Sequence, residues 1–225
     1  MNQIKRSFVT ALILALVAFP AAGDTKMIME EGTGLAGDGA EIPEEMRQVF
    51  ANQEPTTAVY WISDDMAARV GDSGSIISRL DKGEAYFVND QRKSYTVIEL
   101  GGLEGSAAET TASDLVETGE SRKIGSWNTV GYRMTLDLVG EATEVVLWIS
   151  DEVDVDLAAY KAFIKATAAQ PGSSWMLKFI EIDGFPVRQE VRMGAILSWQ
   201  QLVSVSDEPA PKGTYEPPAG YTKSN

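Results

Sequence analysis

The acids of this chain are the residues best placed to do chemistry, because the usual nucleophiles and bases are missing. Two stretches read Trp-Ile-Ser-Asp followed by a second acid: Trp61-Ile62-Ser63-Asp64-Asp65 and Trp148-Ile149-Ser150-Asp151-Glu152. Paired carboxylates can hold a hard cation or serve as general acid and base. Each pair here follows an apolar, strand-like run. Neighbours on a strand point to opposite faces, so neither pair converges readily. No calcium-loop spacing surrounds them, and Asp is a common turn residue at strand ends. The pairs therefore read as structural. The chain has no His and no Cys, which excludes Ser-His and Cys-His nucleophiles and Cys/His zinc sites. Lys93 and Ser94 are adjacent on a strand and point apart, and no Gly-x-Ser-x-Gly elbow is present. The expectation is a non-enzyme with no catalytic residue, no metal and no cofactor; a hydrolase ranks last.

What remains is binding chemistry. Trp61, Trp148, Trp175 and Trp199 lie in apolar stretches, with Tyr86, Phe87 and Phe163 beside them. Together they could line a cavity that takes an acyl chain by surface burial, at about 0.8 kcal/mol per methylene. The same rings could fill an ordinary core, since aromatic side chains dominate cores generally. Arg69, Arg79 and Arg188 are polar positions in strand-like runs, able to receive a head group or to face solvent.

These residues need a frame. Lys26 to Met29 reads as a short first strand. Glu41 to Phe50 reads as a short helix with Pro43 in its first turn. Residues 57–63, 75–80, 84–89 and 93–98 alternate or run apolar between turns such as Asp81-Lys82-Gly83, as in an antiparallel meander. Residues 101–120 are rich in Gly, Ala, Ser, Thr and Glu and read as a mobile surface loop between two halves. Val130, Tyr132, Met134, Leu136 and Leu138 then alternate with small or polar residues, the clearest strand of the chain. A second strand covers 143–150. Asp154 or Asp156 caps a helix that runs to about Ala169 and stops at Pro171-Gly172. Trp175 to Ile182 fits helix or strand. Strands follow at 187–193 and in a last long run with Leu197, Trp199, Val203 and Val205 on one face. The tail from Pro209 is extended.

The N-terminus has the form of a secretion signal: Lys5 and Arg6, an apolar run from Ala11 to Phe19, then Ala21-Ala22-Gly23 for cleavage. That predicts an exported, periplasmic protein cut after Gly23, without the Cys a lipoprotein anchor needs. The cut removes two basic residues and no acid, taking the net charge from −14 to −16. Such charge disfavours nucleic acid and anionic membrane surfaces as partners. The expected division is leader 1–23, N-terminal segment 24–56, main domain 57–208 and tail 209–225.

Five stretches, in order, resemble a known family. They are Tyr60 to Met66 with Arg69; Ile76 to Asp81, Lys82 to Tyr86 and Lys93 to Tyr95; Lys123 to Gly125 with Gly131 to Arg133; Val146 to Ser150; and Gly184 to Arg188 with Tyr215 to Tyr221. The family is that of exported bacterial proteins carrying the domain of unknown function numbered 4412 (DUF4412), grouped with the lipoprotein-carrier (LolA/LppX-like) fold. The resemblance implies a mainly β, α+β fold: a strongly curved antiparallel half-barrel sheet with a few helices on its concave face. In the carriers, the space between sheet and helices holds acyl chains. Two functions follow as expectations. One is a periplasmic binding protein for an apolar or lipid-like ligand, released by movement of 154–170 or 101–120. The other is an envelope module with a self-filled core and a protein partner.

Overall fold

The computed structural model describes residues 24–37, 42–100, 111–138, 141–168 and 173–224. The expected leader 1–23 and residues 101–110 of the expected loop lie outside the described residues.

The first strand, β1 (Asp24–Leu35), is much longer than the Lys26–Met29 run suggests. A short helix follows, α1 (Glu44–Ala51), with Pro43 at its N-cap. The meander comes next: β2 (Thr56–Ile62), β3 (Met66–Gly71), β4 (Gly74–Arg79), β5 (Glu84–Asn89) and β6 (Ser94–Glu99). Of these, β3 has no counterpart in the sequence reading. The second half comprises β7 (Thr111–Ala112), β8 (Val116–Ile124), β9 (Trp127–Leu138), β10 (Glu141–Ser150), α2 (Leu157–Ala168), β11 (Phe185–Met193) and β12 (Ile196–Glu208). The tail adds β13 (Thr222–Lys223). Residues 116–120, expected in a mobile loop, belong to β8, which pairs with β9. The ambiguous segment before β11 is a 3₁₀ helix, Ser174–Glu181. Asp156 caps α2: its Oδ1 accepts from the amides of Ala158 and Ala159 at 2.9 and 3.0 Å.

All the strands form one open sheet in the order β13-β6-β5-β4-β3-β2-β1-β12-β11-β10-β9-β7, with β8 also on β9. Among the described residues every pairing is antiparallel except the short β13–β6 contact. The expectation of a mainly β, antiparallel, unclosed sheet with few helices is met. The boundary at residue 57 is not, because β1 sits mid-sheet between β2 and β12.

Curvature follows from the packing. β4 and β11 are five places apart in the sheet, so a flat sheet would separate them by about 24 Å at roughly 4.8 Å per strand. Yet Ile76 on β4 and Phe185 on β11 line the same cavity as Tyr160 of α2 and Phe179 of the 3₁₀ helix. The sheet therefore curls around the two helices, which lie on its concave side. The main core forms there, from Met27, Met29, Leu136, Val145, Leu147 and Leu202 against Tyr160, Ile164 and Phe179.

The register assigns each side chain to a face. Tyr60, Arg69, Ile76 and Phe87 stand opposite one another across β2 to β5 on the concave face, and Trp61, Ala68, Ile77 and Tyr86 on the convex one. The convex row is covered by the tail: Tyr215 and Tyr221 pack on the cluster of Ala68, Ile77, Tyr86 and Val88. On β12 the pairing passes from Ile28–Ser204 to Met29–Leu202 and skips Val203, which is left 47% exposed. Such a bulge reverses the side-chain parity. Leu197 and Trp199 therefore face away from Val205, against the expectation of one common face.

Arg79 is buried and ties the tail down. Its guanidinium donates to Asp81 at 2.8 and 2.7 Å, to the Tyr215 carbonyl at 3.2 Å and to the Glu216 carboxylate. The hydrogen bonds from Arg79 hold Asp81 below the usual carboxylate range. For Glu216 burial acts upward, but Arg79 and Lys82 outweigh it and the net shift is also down. Folded pKa values below the unfolded ones stabilise at neutral pH, and that contribution is lost as pH falls through the folded values, below about 4. Protection factors at Thr222 and Lys223, measured against intrinsic exchange at each pH, are expected to fall on acidification. Arg79→Gln is expected to give the lowered protection already at neutral pH, with a lowered melting temperature.

Candidate functional site: an apolar chamber with a polar mouth

Between the curled sheet and its helices lies a chamber of about 270 Å³. Its floor is Met27 and Met29 of β1, Ile62 of β2, Ile76 and Ser78 of β4 and Phe87 of β5. Its roof is Tyr160, Phe163, Ile164 and Thr167 of α2, with Met176 and Phe179 of the 3₁₀ helix. The far wall is Phe185 and Pro186 at the start of β11. The roof is itself braced: the Tyr160 and Phe185 rings are 4.8 Å apart, and Trp175 meets Phe179 edge-on at 5.4 Å. Burial pushes the Tyr160 phenol well above its ordinary pKa, so it stays neutral.

The chamber is not apolar throughout. Tyr60, Arg69, Gln189 and Gln200 border it and also border a neighbouring polar cleft of about 430 Å³. These shared residues form the mouth. Arg69 Nε donates to Glu31 Oε1 at 3.0 Å and its Nη2 donates to Glu31 Oε2, a two-pronged ion pair across β2. The Tyr60 hydroxyl lies between them, 3.2 Å from Glu31 Oε1 and 3.3 Å from Gln200 Oε1. Burial, then the Glu31 carboxylate, push the Tyr60 phenol up to about 12. The hydrogen bond to Glu31 raises Arg69 further above its already high value. At neutral pH the mouth therefore holds a fixed cation, a fixed phenol and a carboxylate already committed to both.

Of the residues singled out from the sequence, Phe87, Phe163 and Arg69 line the chamber. The others do not, and the register explains why. Trp61 and Tyr86 stand on the convex face, one residue out of phase with Tyr60 and Phe87. Trp148 is convex too. It stands opposite Gly131, with the Arg122 guanidinium 3.7 Å from its ring centroid. A Cβ on Gly131 would lie 3.2 Å from that ring. Trp175 braces the roof from behind, against Phe179. Trp199 borders the cleft, its ring lying so close to Gly32 that a Cβ there would sit 2.7 Å away. Arg79 is the tail clamp. Arg188 covers Trp199 at 4.6 Å and donates to Glu190 at 2.8 Å and Gln201 at 2.9 Å on the convex side.

The sequence reading missed Glu31, Tyr60, Gln189 and Gln200. Glu31 had a signal: Met27, Met29 and Glu31 alternate, which continues the first strand past Met29. Tyr60 precedes the conspicuous Trp61 and carries the inward phase.

The paired acids stay apart from this site. Asp64 and Asp65 lie exposed in the β2–β3 turn, where the Asp65 carbonyl accepts from Leu80 at 2.8 Å. Glu152 accepts from the Asn128 amide and side chain at 2.9 and 2.8 Å, which holds it below the usual carboxylate range. No three His, Cys, Asp or Glu side chains converge as metal ligands among the described residues. None of the described helices is long and apolar enough to cross a membrane.

An open antiparallel sheet curled around two helices, with an apolar chamber between, defines the class. The chain belongs to the family described as a domain of unknown function (DUF4412), whose model matches residues 38–221. No curated protein matches its sequence significantly. Among solved structures it is similar to PNGF-II, at 10% identity and TM-score 0.46, over 91% of this chain and 31% of that one. The chain thus spans about a third of PNGF-II. It is also similar to an uncharacterized conserved protein from Thermus thermophilus, at 8% identity and TM-score 0.43, over 90% of both chains.

The mouth makes a stability prediction. Arg69→Met leaves the half-buried Glu31 carboxylate without its main partner, which is expected to cost about 1–3 kcal/mol. Adding Glu31→Gln should recover part of that loss. A double-mutant cycle by urea unfolding measures the coupling.

Proposed function

We propose that this protein is an exported, non-enzymatic binding protein that holds one short apolar chain in the chamber beneath α2 and the 3₁₀ helix. The observation that carries the reading is the chamber itself, apolar on floor and roof apart from the Ser78 and Thr167 hydroxyls, with its amide and charged side chains gathered at one mouth. A module whose core were filled by its own side chains would have no use for such a space. Its volume of about 270 Å³ is near the lower end of ligand pockets, roughly 300–1,000 Å³. A single short chain suits it better than a diacyl lipid. Binding would draw on burial alone and require no cofactor.

The likeness to lipoprotein carriers supports the same reading from another side, since there too the ligand lies between a curved sheet and its helices. Export to the periplasm is supported by the leader-like N-terminus. Release would come from the roof. α2 follows β10 through residues 151–156, and its Phe163 and Thr167 contribute to the chamber.

Native mass spectrometry of residues 24–225, prepared from periplasm without detergent and followed by organic extraction, tests this. An acyl or similar apolar species of low mass is expected to co-purify. In Ile76→Trp, whose indole would fill the chamber, that species should be absent while the fold persists. A clean apo mass, with no gain in melting temperature on adding single-chain amphiphiles, would sink the proposal.

A further inference from the structure

The chamber and the cleft share their border residues, so a molecule whose tail enters the chamber must place its other end in the cleft. The chemistry of the cleft then selects the head group. Arg69 is the only cation bordering either space among the described residues. Its Nε and Nη2 are both taken by Glu31. A second carboxylate, the exposed Glu54, also lines the cleft, and no other charged group does among the described residues. One cation against two carboxylates leaves the cleft with net negative charge, in a protein that is itself strongly acidic. The remaining lining side chains include Gln53, Thr56, Ser198 and Gln200. Amides and hydroxyls of this kind both donate and accept hydrogen bonds without charge.

Building on the binding reading above, we infer that the ligand is a single-chain amphiphile with an uncharged, hydroxyl-rich head, of the monoacylglycerol or alkyl glycoside kind, rather than a fatty-acid or phosphate anion. Its hydroxyls exchange hydrogen bonds with Gln53, Thr56, Ser198 and Gln200, and its chain passes Tyr60 into the chamber. An anionic head meets Glu31 and Glu54 and finds the Arg69 fork already occupied. Like charges in such a site act as a rejection device. Glu31 is thus the residue that sets specificity, by keeping Arg69 engaged.

The test compares monodecanoylglycerol with decanoate, both below micellar concentrations, by calorimetric titration of the mature chain at neutral pH. The neutral ligand is expected to bind at least about tenfold more tightly. Glu31→Gln should free Arg69 and reduce or reverse that ratio. Glu54→Gln, at an exposed position remote from the core, should narrow it without perturbing the fold. It keeps the test decisive if Glu31→Gln does not fold. Decanoate binding the wild-type chain as tightly as the neutral ligand would overturn this inference and leave the chamber reading intact. Binding of neither, with Ile76→Trp indistinguishable from wild type, would overturn both.

Discussion

The structure depends on the pairing of β1 along both of its edges. On one side it carries the β2–β6 meander and on the other β12 and the rest of the second half. Met27 and Met29 are almost wholly buried under the helices, so the strand supplies core as well as hydrogen bonds. An antiparallel sheet of this width, unsupported on one face, must twist and curl. Here the curl wraps it around α2 and the 3₁₀ helix. Without β1 the two halves would each be a small sheet with an unpaired edge, and neither would enclose the chamber.

The same strand places the site's charge. Glu31 is the next inward residue after Met29. Arg69 reaches it from β3 across the intervening β2, whose Tyr60 fills the gap between them. Each group satisfies another: the guanidinium neutralises the carboxylate, and the phenol donates to it. A half-buried charge left alone is costly, so the trio forms a stable polar rim at the edge of an apolar space. Rim and chamber are one construction, because both are inward positions of adjacent strands.

The convex face follows a different rule. Its tryptophans are not buried by helices but covered by cations. Lys26 lies 5.2 Å from the Trp61 ring centroid, Arg122 3.7 Å from Trp148 and Arg188 4.6 Å from Trp199. Cation–π contact and the apolar stems of these long side chains shield the rings from water. Lys26 pairs with Glu208, while Glu190 anchors the two arginines. Burial pushes its carboxyl upward, but hydrogen bonds from Arg188 and Arg192 prevail and keep it ionised well below the usual range. Three of the four tryptophans singled out in the sequence, Trp61, Trp148 and Trp199, thus stabilise the outside of the sheet.

Much of the frame is legible in the sequence because it is local. The alternation of Tyr132, Met134 and Leu136, the turn at Asp81-Lys82-Gly83 and the Asp156 cap each depend on a few neighbouring residues. The absence of His and Cys likewise narrows the chemistry before any fold is known. Which face each aromatic occupies is not local. It depends on register, and a phase difference of one residue separates Tyr60 in the mouth from Trp61 on the outside. The bulge at Val203 resets that phase within β12 with no sequence mark. Glu31, Arg69 and Gln200 come from three distant parts of the chain, and only the pairing of β1 with β2 and β12 brings them together. Sequence alone therefore determined the locally patterned strands, though not β3, β7 or β8, and the classes of chemistry available. The tertiary structure decided which side chains share a space, because that is fixed by pairing partners and sheet curvature rather than by any residue's neighbours in the chain.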